Sequence, residues 1–289
     1  MKRRLVALSA IVAAFALAFS LAGCRKLAAR DNLNKGVNAF KNAKYTEAVN
    51  SFTEAVKLDP DYPTARLYLA TAYMSQYIPG ASSDENTGYW KNALDNFKQV
   101  LEKNPKDTTA LESIASLYIQ SSQGLNDAKE KNARLDEAKI WYQKLAEVEP
   151  TNKTAYYSQG FIVWGKWYPA LMEARAKLGM KPEDPGPLKD KKVRGELKAQ
   201  YSDMIQDGIN NLNKALEIDK EYDDAMAYLN LLYRERADLA DSPEEYKKDT
   251  EVADTWVQKA LETKKVKAER AQKSTGGIVQ ESNAPKDAK

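Results

Sequence analysis

Few residues in this chain are able to do covalent chemistry. Cys24 carries the single thiol, and histidine is absent. Without imidazole there is no Ser-His-Asp or Cys-His relay and no histidine-held metal. No glycine-rich phosphate loop stands out either; Gly276-Gly277 lies near the end of the chain. Carboxylates remain, and two of them in one cleft could act as acid and base on a glycosidic bond. A different kind of chemistry is offered by Tyr157, Phe161, Trp164 and Tyr168. Their 4-3-4 spacing keeps four rings within a helical sector of roughly 60°, a rigid apolar stripe able to grip another protein. No metal, cofactor or catalytic residue is expected.

The thiol has a particular context. Lys2, Arg3 and Arg4 precede an apolar run from Leu5 to Ala22, which ends in Leu21, Ala22, Gly23 and Cys24. As a plain membrane span this run is near the lower limit of length. The four residues ending at Cys24 resemble the bacterial lipoprotein box. The resemblance implies a signal peptide over 1–23, cleavage before Cys24, and acylation of the cysteine, palmitate included. Arg25 stands where an aspartate would imply inner-membrane retention, so the resemblance points to the periplasmic leaflet of an outer membrane. Residues 24–28 would form a short tether, with Arg25, Lys26 and Arg30 at the head groups. Loss of 1–23 removes three positive charges, which is the whole surplus of 44 Lys+Arg over 41 Asp+Glu. A formally neutral mature chain argues against a nucleic-acid partner.

The elements that must position the aromatic stripe are set by a repeat. A small residue, a large apolar one four positions on and an apolar one three further recur as Ala48, Phe52, Ala55, as Ala93, Phe97, Val100 and as Ala138, Tyr142, Leu145. Each of these ends in a proline: Pro60, Pro105 and Pro150. Gly208, Leu212, Ala215 and Ala253, Val257, Ala260 follow with Lys220 and Lys265 in place of proline. Upstream of each comb stands another marker position, filled by Gly36, Ala70, Ala115, Gly160 and Asn230. The pattern resembles the tetratricopeptide repeat, a helix-turn-helix unit with small residues where its helices cross. The resemblance implies an all-α, right-handed solenoid of about five hairpins over 29–262, with units 29–62, 63–107, 108–152, 153–222 and 223–262. Units two, three and five carry about 11 extra residues. That is close to three helical turns, so both helices of each hairpin are expected to lengthen. In unit five the cap at Asp241 to Glu245 predicts helices near 223–240 and 243–262.

Unit four holds an insertion at about 168–205. Its Gly179 to Pro187 stretch forbids continuous helix, and helix should resume near 188–191 and run to Ile218. The insertion reads equally as a solvated connector, with Lys189, Lys191, Lys192 and Arg194 on its wet face, or as a partner contact. Residues 263–289 read as a basic, disordered tail, with attraction to anionic head groups as the second reading.

In the repeat family, Tyr68, Met74, Tyr157, Phe161, Trp164 and Tyr168 fall at positions that line a peptide-binding groove. The stripe on unit four would equally be core if the insertion covers it. The Lys/Asn/Arg set that clamps a C-terminal carboxylate in this family is not present. A faint resemblance of Glu112-Ser113 and Gln123-Gly124-Leu125 to lytic transglycosylase signatures lacks the Met-Gln that should follow. The expected function is a non-catalytic, lipid-anchored scaffold on the periplasmic side of an envelope membrane, binding a partner protein or peptide that the sequence does not identify. Cleavage of wall glycan by a carboxylate pair is the alternative.

Overall fold

The structure, a computed structural model, describes residues 23–282, with side chains as far as Lys273. Residues 1–22, which hold almost all of the expected signal peptide, lie outside that range. Among the described residues the chain is all helix and turn, without a strand. The helices are α1 (23–41), α2 (Tyr45–Leu58), α3 (Pro63–Gln76), α4 (Asp84–Lys103) and α5 (Thr108–Gln123), then α6 (Ala128–Val148), α7 (Lys153–Lys177), α8 (Lys191–Ile218), α9 (Asp223–Ala237) and α10 (Pro243–Ser282). The chain divides into two compact units between Trp141 and Tyr142, inside α6.

In the first unit α3 packs on α2 and α4, and α4 packs on α5. The comb residues form its interior: Ala48, Phe52, Ala55, Ala93 and Phe97 are wholly buried. Close approach explains the glycine at the crossing, since a Cβ on Gly36 would lie 2.4 Å from Phe52 Cε1. The second unit repeats the device. There Trp167, Leu171, Ile205, Ile209, Leu212, Leu229 and Leu232 share one core, and a Cβ on Gly160 would lie 2.4 Å from Leu212 Cγ.

The turns between hairpins are the same whether or not proline is there. Asp59, Asn104, Glu149 and Asp219 each donate N–H to the carbonyl four residues back, and Tyr62, Asp107, Asn152 and Tyr222 each donate to the carbonyl three back. Lys220 therefore changes nothing at the end of α8. At Lys265 no such turn forms, and α10, 40 residues long in all, continues to Ser282. This corrects the expected disordered tail. Lys267 pairs with Asp223, and Arg270 Nη1 lies 2.7 Å from Glu221 Oε2, so basic residues seat the extension on the α8–α9 turn. Residues 283–289 lie outside the described range.

Two further expectations need correction. Residues 24–28 are not an extended tether but the first turns of α1. The extra length of units two and three falls mainly on the turn and the second helix: α3 and α5 have 14 and 16 residues, against 20 and 21 for α4 and α6. Unit five makes its internal turn as anticipated, with Ser242 Oγ accepting from Glu245 N and Glu245 Oε2 accepting from Asp241 N, a capping box shifted by one residue. Its first helix ends earlier, at Ala237.

Candidate functional site

α7 starts at a strong cap, Asn152 Oδ1 accepting Ala155 N–H at 3.0 Å, and runs through Pro169 to Lys177. It carries the aromatic row. α9 lies across three of these rings, and the fourth, Tyr168, lines a cavity with the insertion. Tyr228 of α9 stands edge-on to Tyr157, Phe161 and Trp164, with ring centroids 5.7, 5.4 and 5.4 Å away. Tyr157 also meets Tyr222 at 5.0 Å, and Tyr168 stacks on Trp164 at 5.1 Å. All four rings are half-buried. Burial pushes the Tyr157 phenol well above its ordinary range. The row is therefore largely packing between successive repeats. Tyr68, in the first unit, stacks on Phe52 at 5.4 Å at the edge of that core, and Met74 is half-buried further along α3.

At its far end the aromatic row meets charge. Trp164 Nε1–H donates to Glu235 Oε1 at 2.9 Å, while Glu235 Oε2 is buried with no hydrogen-bond partner among the described residues. Glu235 is 8% exposed. Loss of water raises its carboxyl to about 8, Trp164 opposes this, and Asp238 adds to it. One turn on, Asp238 Oδ2 accepts from Arg175 Nη1 at 2.5 Å, both side chains being almost fully buried. Burial raises the Asp238 carboxyl and the Arg175 guanidinium pulls it back.

Arg175 also organises the insertion. Its Nη2 donates to the carbonyls of Lys181, at 2.8 Å, and Asp184. Leu188 N donates to Asp238 O at 3.0 Å, and Gly186 N to the Tyr246 hydroxyl at 3.2 Å. Gly186 is required here, because a Cβ would sit 1.9 Å from Asp238 Oδ1. Met180 and Leu188 are buried beneath the loop. Of the expected wet face, Lys189, Lys191 and Lys192 are exposed. Arg194 is not: it donates to Leu188 O at 2.8 Å and faces Asp241 Oδ1 at 3.6 Å. The pinned loop roofs a cavity of about 330 Å³ lined by Tyr168, Met172, Pro185, Arg234, Glu235 and Tyr246 among others.

Sequence reasoning missed Arg175, Glu235 and Asp238. A signal existed: Met226, Leu229 and Leu232 step along the buried face of α9, and the next step of three is Glu235. Elsewhere, Glu112 is half-buried on α5, and Gly124 is explained by backbone contact, since its Cβ would meet Gly80 N at 2.2 Å. Cys24 is free and exposed. No group of three or more His, Cys, Asp or Glu among the described residues is placed to hold a metal, and none of the helices searched there is long and apolar enough to cross a membrane.

Successive helical hairpins with small residues at each crossing define a helical-repeat protein. The chain resembles the tetratricopeptide-repeat proteins, and the family profile for the TPR repeat matches residues 40–76, from the end of α1 through α3. It is 29% identical over 136 residues to the photosystem I assembly protein Ycf3 of Prochlorococcus marinus, a match covering 46% of this chain and 69% of that protein. Among solved structures, MamA of Desulfovibrio magneticus RS-1 superposes with a TM-score of 0.51 at 15% identity, over 82% of this chain and 96% of MamA. That likeness shows the fold alone.

Proposed function

We propose that this chain is a lipid-anchored assembly scaffold of the cell envelope, held by Cys24 on the periplasmic face of an outer membrane and binding a partner protein through its second unit. The observation that carries the reading is the pinned loop. Residues 178–190 are held by Arg175 and Asp238 onto the α7–α9 face, so a proline-stiffened surface stands ready without ordering cost to bind another protein. The assembly role named for the relative is consistent with this. Exposure of Cys24 at the start of α1 suits acylation, and with 24–28 helical the first repeat would stand close to the bilayer. Replacing 181–187 with a glycine-serine stretch should abolish partner recovery in a crosslinking pull-down while leaving the helical signal intact. Unchanged recovery would refute the assignment to this surface.

A second reading has one observation in its favour, because Glu235 and Asp238 line the same cavity. As a carboxylate pair for glycan cleavage they fit poorly. Asp238 is engaged by Arg175 on one oxygen and crowded by Gly186 at the other, leaving little room to direct a water. Release of reducing ends from wall glycan, lost in E235Q, would restore that reading.

A further inference from the structure

The cavity under the loop has an electrostatic character that selects its occupant. Of the cations lining it, Arg175 is neutralised by Asp238, and Arg234 is turned to Asp254, with Nη2 2.5 Å from Oδ1 and a side chain 47% exposed. What is left is acidic: Glu183 and Asp184 in the loop and Glu235 on α9 line the same space. Among the described residues none of these three is ion-paired. Tyr168 and Tyr246 add aromatic surface, which attracts cations through the negative face of each ring. At about 330 Å³ the space is at the small end for ligand cavities, about 300 to 1,000 Å³, and suits one side chain better than a folded segment.

We propose that this cavity receives the cationic side chain of a lysine or arginine presented by the partner protein, with Glu235 as its counter-charge and Tyr168 and Tyr246 beside its stem. The inference rests on the reading of the chain as a partner-binding scaffold. It adds a chemical requirement to it. The carboxyl oxygen that Trp164 leaves unpaired becomes paired, and the loop acids oppose binding of an acidic residue. Glu235 is surrounded by Trp164 and Arg175 of α7, Asp238 and Arg234 of α9, Glu183 and Asp184 of the loop and the Tyr246 hydroxyl of α10. Because burial holds its carboxyl at about 8, a cation must displace a proton to pair with it. Affinity should rise about tenfold between pH 7 and pH 9.

The test titrates the chain from Cys24 onward with blocked lysine, blocked arginine and blocked norleucine, each as the N-acetyl methylamide, following the Trp164 indole N–H by NMR. Both cations should shift that resonance saturably and norleucine should not. E235Q keeps an acceptor for Trp164 and should weaken cation binding at least tenfold and flatten its pH dependence. The exposed rim variant E183Q, which cannot disturb the core, should weaken it a few-fold. Equal binding of norleucine, or unchanged cation affinity in E235Q, would overturn the proposal. Such a failure would leave the scaffold reading standing if the loop-replacement variant still lost its partner, so the two are distinguishable.

Discussion

Glu235 is the residue whose environment departs furthest from its composition. Its folded carboxyl is raised from 4.5 to about 8, so the folded state holds a proton that the unfolded state releases. The stability this group contributes is fully present below about 4.5 and is lost as pH rises through 8. Wild type should therefore weaken relative to E235Q between pH 5 and pH 8, by on the order of a few kcal/mol, in denaturant titrations at matched pH. Arg175 is the complementary case. R175M leaves Asp238 buried without its partner, a loss of about 3 to 5 kcal/mol, and should raise amide exchange at Gly186 and Leu188. If exchange there is unchanged, Arg175 does not hold the loop. The Arg175–Asp238 pair was not legible beforehand, because the two are 63 residues apart and only the folded chain brings their charges together.

Helices and hairpins were far more legible. The small-large comb falls where the structure buries it, down to the glycines, because close crossing of two helices admits few side chains. Gly36→Ala should cost about 1 to 3 kcal/mol by forcing Phe52 aside. Gly88→Ala, with nothing near its Cβ in α4, should gain about 0.5 to 1 kcal/mol. Paired thermal melts check both signs. Periodicity placed the aromatic row on one face of α7 but could not say which element covers it, since that depends on how α9 stacks. With α9 across the row, Phe161→Ala with Trp164→Ala should lower the melting temperature, removing ring packing against Tyr228 and the Glu235 hydrogen bond together. The end of α10 was missed for a related reason. Local composition reads as a tail, whereas its lysines and arginine find Asp223 and Glu221 some 44 to 49 residues away.

On the scale of the whole molecule, each unit has its own core, and the features that set this chain apart from a plain repeat array cluster in the second. C24S should release the protein from membranes without changing its helical content, if anchoring is by acylation. The central claim is that the second unit holds a partner through the loop-roofed face. Crosslinking mass spectrometry on envelope membranes, comparing wild type with the 181–187 replacement, tests it most directly. Crosslinks from the loop and the exposed edge of α9 to one partner, lost on replacement while the thermal melt holds, are the expected result. The same partner captured equally by both chains, or crosslinks confined to the first unit, would contradict it.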